Sequence, residues 1–169
     1  MKKIVLVIFS LLLISCNGKS TSNPFENCDR IDYYHLSEIK ESEYMSSEPR
    51  NAAMRQILHE EKSINLEDSA VQKALKEFYD KEIIDAKLRV EISKLFTDPK
   101  MEASNASFSV SVAICAPVYR DILVFKKDNK VSAIAKVCFG CNQNLLWTKF
   151  GETRNAPLDY YKLEKHLKK

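Results

Sequence analysis

The sequence predicts a single α+β domain: a helical N-terminal half packed on a small antiparallel sheet of three or more strands, with a C-terminal helix. Three observations predict it. Apolar residues recur at helical spacing through residues 51–96, alternate or run in short β-branched stretches through 107–137, and return to a helical pattern at the C-terminus. No internal repeat or second boundary divides residues 25–169, and a stretch of this length supports one sizeable core.

Residues 25–49 are mixed. Ile31, Tyr34, Leu36 and Ile39 suggest a short helix or an irregular packed segment, and Ser46-Ser47-Glu48-Pro49 reads as a break. Through 51–62, Ala53, Met54, Ile57 and Leu58 share one helical face. Asn65-Leu66-Glu67-Asp68 supplies a capped start for a helix whose apolar stripe is Val71, Ala74, Leu75, Phe78 and Tyr79. Residues 82–96 fit two periods. Ala86, Leu88, Val90 and Ile92 alternate, whereas Ile84, Leu88, Ile92 and Leu95 repeat as a helix would. The good helix formers and the lack of Gly or Pro favour helix, ended by Asp98-Pro99.

The second half changes period. Phe108, Val110, Val112 and Ile114 alternate with Ser107, Ser109, Ser111 and Ala113, a strand with one buried face. Residues 122–127 and 130–137 form a hairpin around Asp128-Asn129. Leu145-Leu146-Trp147 and Phe150 add apolar mass. Residues 157–169 form a helix with Pro157 near its first turn and Lys165, Lys168 and Lys169 at its negative end.

The N-terminus gives an address. Met1-Lys2-Lys3 is positive, and residues 4–14 are apolar except for Ser10. About 7–15 apolar residues make a signal-peptide core, whereas roughly 20 are needed to cross a bilayer. The segment closes on Leu13-Ile14-Ser15-Cys16, which resembles the lipobox of bacterial lipoproteins. That resemblance implies residues 1–15 as signal peptide, lipidation of Cys16, and residues 16–24 as lipidated cysteine and tether. Two or more acyl chains anchor stably where one is marginal, and a tether of this length reaches at most about 28 Å. Asn17, not Asp, follows the cysteine, which by analogy with enterobacterial sorting implies the outer membrane; no acidic run of the kind some Bacteroidetes lipoproteins use for surface export follows, which implies an anchor facing the periplasm.

Composition narrows the function. Loss of Lys2 and Lys3 lowers the formal charge of +3 to about +1, so nucleic acid is not an expected partner. The expected partners are the membrane, through the lipid, and an envelope protein or small ligand. Gly18, Gly140 and Gly151 lie too far apart for a dinucleotide fingerprint or a phosphate loop. There is no G-x-S-x-G and no H-E-x-x-H, and His35, His59 and His166 are scattered. The leading expectation is a non-enzymatic envelope lipoprotein, a binding or structural module without a cofactor. The alternatives are a cysteine-centred metal or thiol-redox protein and a periplasmic inhibitor or immunity-type protein.

Four further cysteines, Cys28, Cys115, Cys138 and Cys141, would meet an oxidising periplasm. With Asp128-Asn129 as the turn, Lys127 faces Lys130. Continued register places Tyr119 opposite Cys138 and Ala116 opposite Cys141, although Pro117 interrupts the ladder. Cys115, Cys138 and Cys141 then cluster at the open end of the hairpin, with Cys115 and Cys141 close enough to bridge. A Cα separation above about 7 Å would exclude that bridge. Three chemistries stay open: structural disulfides, with Cys28 tying down the N-terminal segment; a zinc site in which Cys28 or a His completes the set; and thiol–disulfide exchange at Cys138-Phe139-Gly140-Cys141. Beside the cluster, Tyr119-Arg120-Asp121 reads either as a small polar binding site or as a surface ion pair worth under ~1 kcal/mol.

Residues 95–141 also resemble a family of bacterial secreted or lipid-anchored proteins with no assigned activity. The matching residues are Leu95, Asp98-Pro99, Cys115, Pro117, Phe125, Lys130-Val131 and Cys138-Phe139-Gly140-Cys141. Those relatives often carry Pro-Arg-His after the first cysteine; here the segment reads Pro117-Val118-Tyr119-Arg120-Asp121, without the histidine. The resemblance implies a shared cysteine-bearing hairpin and no particular chemistry.

Overall fold

The computed structural model describes residues 23–46, 52–60, 62–97, 115–156 and 158–168. The expected strand over 107–114, the Asp98-Pro99 stop and Cys16 with its leader lie outside them. In chain order the elements are β1 (Arg30–His35), α1 (Glu38–Ser46), α2 (Ala52–His59), α3 (Ser69–Phe78), β2 (Asp80–Ile83), α4 (Ala86–Leu95), β3 (Asp121–Lys127), β4 (Lys130–Cys138), β5 (Gln143–Thr148), β6 (Gly151–Arg154) and α5 (Tyr160–Leu167). The strands form one antiparallel sheet in the order β2-β1-β3-β4-β5-β6, so the chain is α+β, as its periodicity predicts.

Alternation along the strands builds two cores. Ile122, Val124, Ile134, Leu145 and Trp147 meet residues of α1–α3 on one face. Ile31, Leu123, Phe125, Val137 and Leu146 meet α4 and α5 on the other. Helices therefore cover both faces, not one. The helix starts follow from side-chain caps. Asp68 accepts from Ala70 N at 2.7 Å, Asp85 from Lys87 N at 2.9 Å, and Asp159 from Lys162 N at 2.9 Å; such caps contribute about 1 kcal/mol each.

Two strands depart from the sequence expectation. Residues 30–35 are an interior strand, not a helix or irregular segment. Ile31 and Tyr33 bury on one face, while Asp32 on the other is fully buried, so a charge sits where the strand pattern calls for an apolar residue. Residues 80–83, the last two of which fall in the stretch 82–96 expected as helix, form the exposed edge strand β2. Charge on a short edge strand is a common guard against further pairing, and it erases the alternation that would reveal the strand. Phe150, expected to add apolar mass, is 61% exposed in the β5–β6 turn.

The β3–β4 turn is as expected: Asp128 and Asn129 both have positive φ, 50° and 60°, the geometry of a two-residue hairpin turn. The register beyond it shifts. Lys127 pairs Lys130 and Lys126 pairs Val131, but Phe125 pairs Ala133, leaving Ser132 as a bulge with its Oγ 3.2 Å from Phe125 O. The ladder ends at Asp121 opposite Val137, so Tyr119 does not pair with Cys138. Tyr119 N instead donates to Leu58 O at 3.0 Å, which brings its ring into the α1–α3 core.

That core contains a fully buried lysine. Lys136 Nζ donates to Glu60 O at 2.7 Å and Gln56 O at 3.3 Å, and lies 4.6 Å from the Tyr119 ring centroid. A carbonyl in the last turn of α2, the carbonyl of the residue just past its end and an aromatic face thus hold the ammonium, as the helix dipole favours.

Candidate functional site

Polar groups converge where β3 begins. Asp121 lies opposite His35 of β1 and is 3% exposed. Because residues two apart share a face, Tyr33 and His35 on β1 meet Asp121 on β3. Asp121 Oδ1 accepts from the Tyr33 hydroxyl at 2.6 Å and from His35 Nδ1 at 2.8 Å. Burial, then the neighbouring Asp121 charge, pushes the Tyr33 hydroxyl far above its ordinary value of 10, so it stays protonated and donates. A carboxylate only accepts, so it fixes the His35 proton on Nδ1 and leaves Nε2 as the acceptor of the neutral ring. His35 keeps 34% of its side chain exposed.

Two hollows meet this pair. His35 lines one of about 490 Å³ with Lys81, Glu82 and Lys168. Asp121 lines another of about 250 Å³ with Arg120, Phe139, Gly140, Glu164 and Lys168. Lys168, at the end of α5, borders both. Its Nζ lies 2.9 Å from Glu164 Oε1 and 4.9 Å from the Phe139 ring centroid. The walls carry both signs of charge, and a buried carboxylate orients an imidazole between them. The arrangement suits a polar ligand or a partner's charged side chains.

The structure separates the residues of the sequence-derived polar site. Arg120 and Asp121 share the smaller hollow, whereas Tyr119 is buried in the opposite core. Arg120 is not paired with Asp121: it donates to both carboxylate oxygens of Glu41 on α1, Nη2 to Oε1 at 3.1 Å, and that hydrogen bonding raises its pKa.

The cysteines divide likewise. Cys115 and Cys141 form a disulfide with Cα atoms 6.0 Å apart, within the expected reach, and it ties the lead-in to β3 to the β4–β5 turn. Cys138 and Cys28 are free and buried. Cys138 belongs to the α1–α3 core and Cys28 to the opposite one, where its Sγ lies 3.3 Å from Ser93 Oγ. Cys28 therefore neither ties down the N-terminal segment through a bridge nor joins Cys138 in a metal set. Two of the remaining candidate ligands are held in the disulfide. Among the described residues, no three His, Cys, Asp or Glu side chains gather as a metal site.

Sequence reasoning gave Tyr33, Glu41 and Glu164 no part in a site, and took His35 only as one of three scattered histidines and Lys168 only as a charge at the helix end. Their partners lie far along the chain, 86 residues away for His35 and Asp121, so no local pattern marks them.

Comparison with family models, curated proteins and solved structures returned no match. Fold and site together define an antiparallel α+β protein, helical on both faces, with a charged hollow at one sheet end. Tyr33→Phe removes one hydrogen bond to a buried carboxylate and is expected to cost about 2 kcal/mol in denaturant unfolding. A loss under about 0.5 kcal/mol would show that the Asp121 carboxylate does not need this donor.

Proposed function

We propose that this chain is a lipid-anchored bacterial envelope protein, held at the outer membrane facing the periplasm, whose domain over 25–169 is a non-enzymatic binding or structural module. Leu13-Ile14-Ser15-Cys16 closing the apolar stretch 4–14 carries this reading. The Cys115–Cys141 bridge supports it, because such bonds persist in oxidising compartments. The hollows around His35 and Asp121 are the surface offered to a partner, with Arg120 and Lys168 against Glu82 and Glu164.

The test is metabolic labelling with an alkyne-bearing palmitate. Wild-type protein should take up label and partition into detergent. Cys16→Ser should lose the label and retain its leader. Label surviving in Cys16→Ser, or wild-type protein unlabelled and released as a soluble form, would overturn the anchor.

One observation favours a second reading, thiol exchange. Cys138 is a free thiol three residues before the bridged Cys141. Attack of a Cys138 thiolate on Cys141 Sγ would form a Cys138–Cys141 bond and release Cys115 as thiolate, with no external oxidant. Acid quenching of the native protein, alkylation of its free thiols while still acidic, and peptide mapping without reductant distinguish the readings. A native state that keeps Cys115–Cys141 as its sole bridge supports the structural role; a mixture of the two bridges supports exchange.

A further inference from the structure

A second charged site lies on the α1–α3 face of the sheet. Asp32, with its side chain fully buried, meets three cations. Oδ1 accepts from Arg30 Nε at 2.5 Å, while Oδ2 accepts from both Lys126 Nζ at 2.9 Å and Lys81 Nζ at 3.0 Å. Three cations on one carboxylate leave two positive charges unmatched within the cluster. A cleft of about 540 Å³ opens beside it, between α3 and the sheet, within the roughly 300–1,000 Å³ typical of small-molecule sites. Lys76, Lys81 and Lys126 line this cleft over an apolar floor that includes Leu75 and Val124, with Glu67 as the acidic group on its wall. Tyr34 adds an aromatic face, and Lys81 Nζ lies 5.3 Å from its ring centroid.

We infer that this cleft binds a phosphomonoester with an apolar or aromatic body. Each ammonium has three N–H donors, and Asp32 takes one from Lys81 and one from Lys126. The phosphate accepts donors that remain, and the organic part covers Tyr34 and Leu75. A phosphomonoester carries about −1.5 to −2 charges at neutral pH, which matches the surplus; a carboxylate would offset only half of it. The buried Asp32 holds the ammonium groups together when the cleft is empty. Such a group is offered by soluble phosphorylated metabolites and by phosphatidic-acid-type headgroups.

The test uses the full-length protein in non-ionic detergent, titrated calorimetrically with inorganic phosphate, phenyl phosphate and dioctanoyl phosphatidic acid. Phenyl phosphate should saturate below about 10 mM and bind more tightly than inorganic phosphate. Lys126→Gln should weaken it about tenfold, the loss of one charge-assisted hydrogen bond. Asp32→Asn, which removes the internal competitor, should bind it more tightly than wild type and gain more in Tm from it. Preference for the lipid over phenyl phosphate would assign the site to headgroups, and the reverse to soluble esters. No saturation of wild type by any of the three would overturn the proposal. So would binding that Lys126→Gln, Lys76→Gln and Asp32→Asn all leave unchanged.

Discussion

Asp32→Ala is expected to cost the fold about 3 kcal/mol and to lower Tm by roughly 10 °C for a domain of this size. The side chain is fully buried and holds Arg30, Lys81 and Lys126 against one another. Removing one partner of a buried pair costs about 3–5 kcal/mol, because charge is left without its counterion. The lower end applies here. Lys81 and Arg30 keep 42% and 35% of their side chains exposed and can turn toward water, whereas Lys126, at 22%, has less freedom.

The same carboxylate sets a pH dependence. Burial acts to raise its pKa, but hydrogen bonds from Lys126, Arg30 and Lys81 outweigh burial and hold it below its ordinary value of 3.8. A group lowered by folding contributes stability that is complete above its unfolded pKa, near 3.9 for Asp, and lost as pH falls through its folded one. Wild-type protein should therefore lose more stability than Asp32→Asn between about pH 5 and pH 2. Urea unfolding across that range reads the difference; parallel curves would show that folding leaves the Asp32 pKa at its unfolded value, and a cost for Asp32→Ala under about 1 kcal/mol would show that its cations are satisfied by water alone.

Local chemistry made much of this architecture legible. The stripe of Val71, Ala74 and Leu75, the Asp68 cap and the Asp128-Asn129 turn each involve residues within one or two turns of chain, and each stands where its pattern places it. The elements that escaped owe their form to distant partners. β1 reads poorly because Asp32 occupies a buried position that Lys81 and Lys126, from two other strands, help Arg30 make tolerable. β2 is an edge and needs no apolar face of its own. The Ser132 bulge shifts the hairpin by one residue, and a shift of one changes which side chain meets which across the ladder. Asp121 therefore pairs with Val137, where unbroken register from the turn would give Lys136. Of the candidate site, sequence spacing brought Arg120, Asp121 and the cysteine pair to one end of the sheet. It gave no sign of Tyr33 and His35 as their partners, because that contact depends on pairing β1 with β3 across most of the chain.

Loss of the Cys115–Cys141 bridge should have an effect of similar size to loss of Asp32. The bonded residues are 26 apart in sequence, and closing a loop of that length restricts the unfolded chain by about 3 kcal/mol. The folded state holds the same ends together through the β3–β4 hairpin inside the loop, so the sheet should survive reduction and the loss should appear as a Tm lower by roughly 10 °C. Burial predicts the order of thiol reactivity. Cys115 is exposed and Cys141 partly so, while Cys138 and Cys28 are buried in opposite cores. After mild reduction, alkylation should mark Cys115 and Cys141 in the native protein, and Cys138 and Cys28 only as it unfolds. Cys115→Ser with Cys141→Ser should reproduce the reduced Tm and become insensitive to reductant. An unchanged Tm in that double variant would show that the bridge adds nothing beyond the hairpin. Early labelling of Cys138 would instead show that the bridge keeps the end of β4 closed, because a buried thiol reacts only when the structure around it opens.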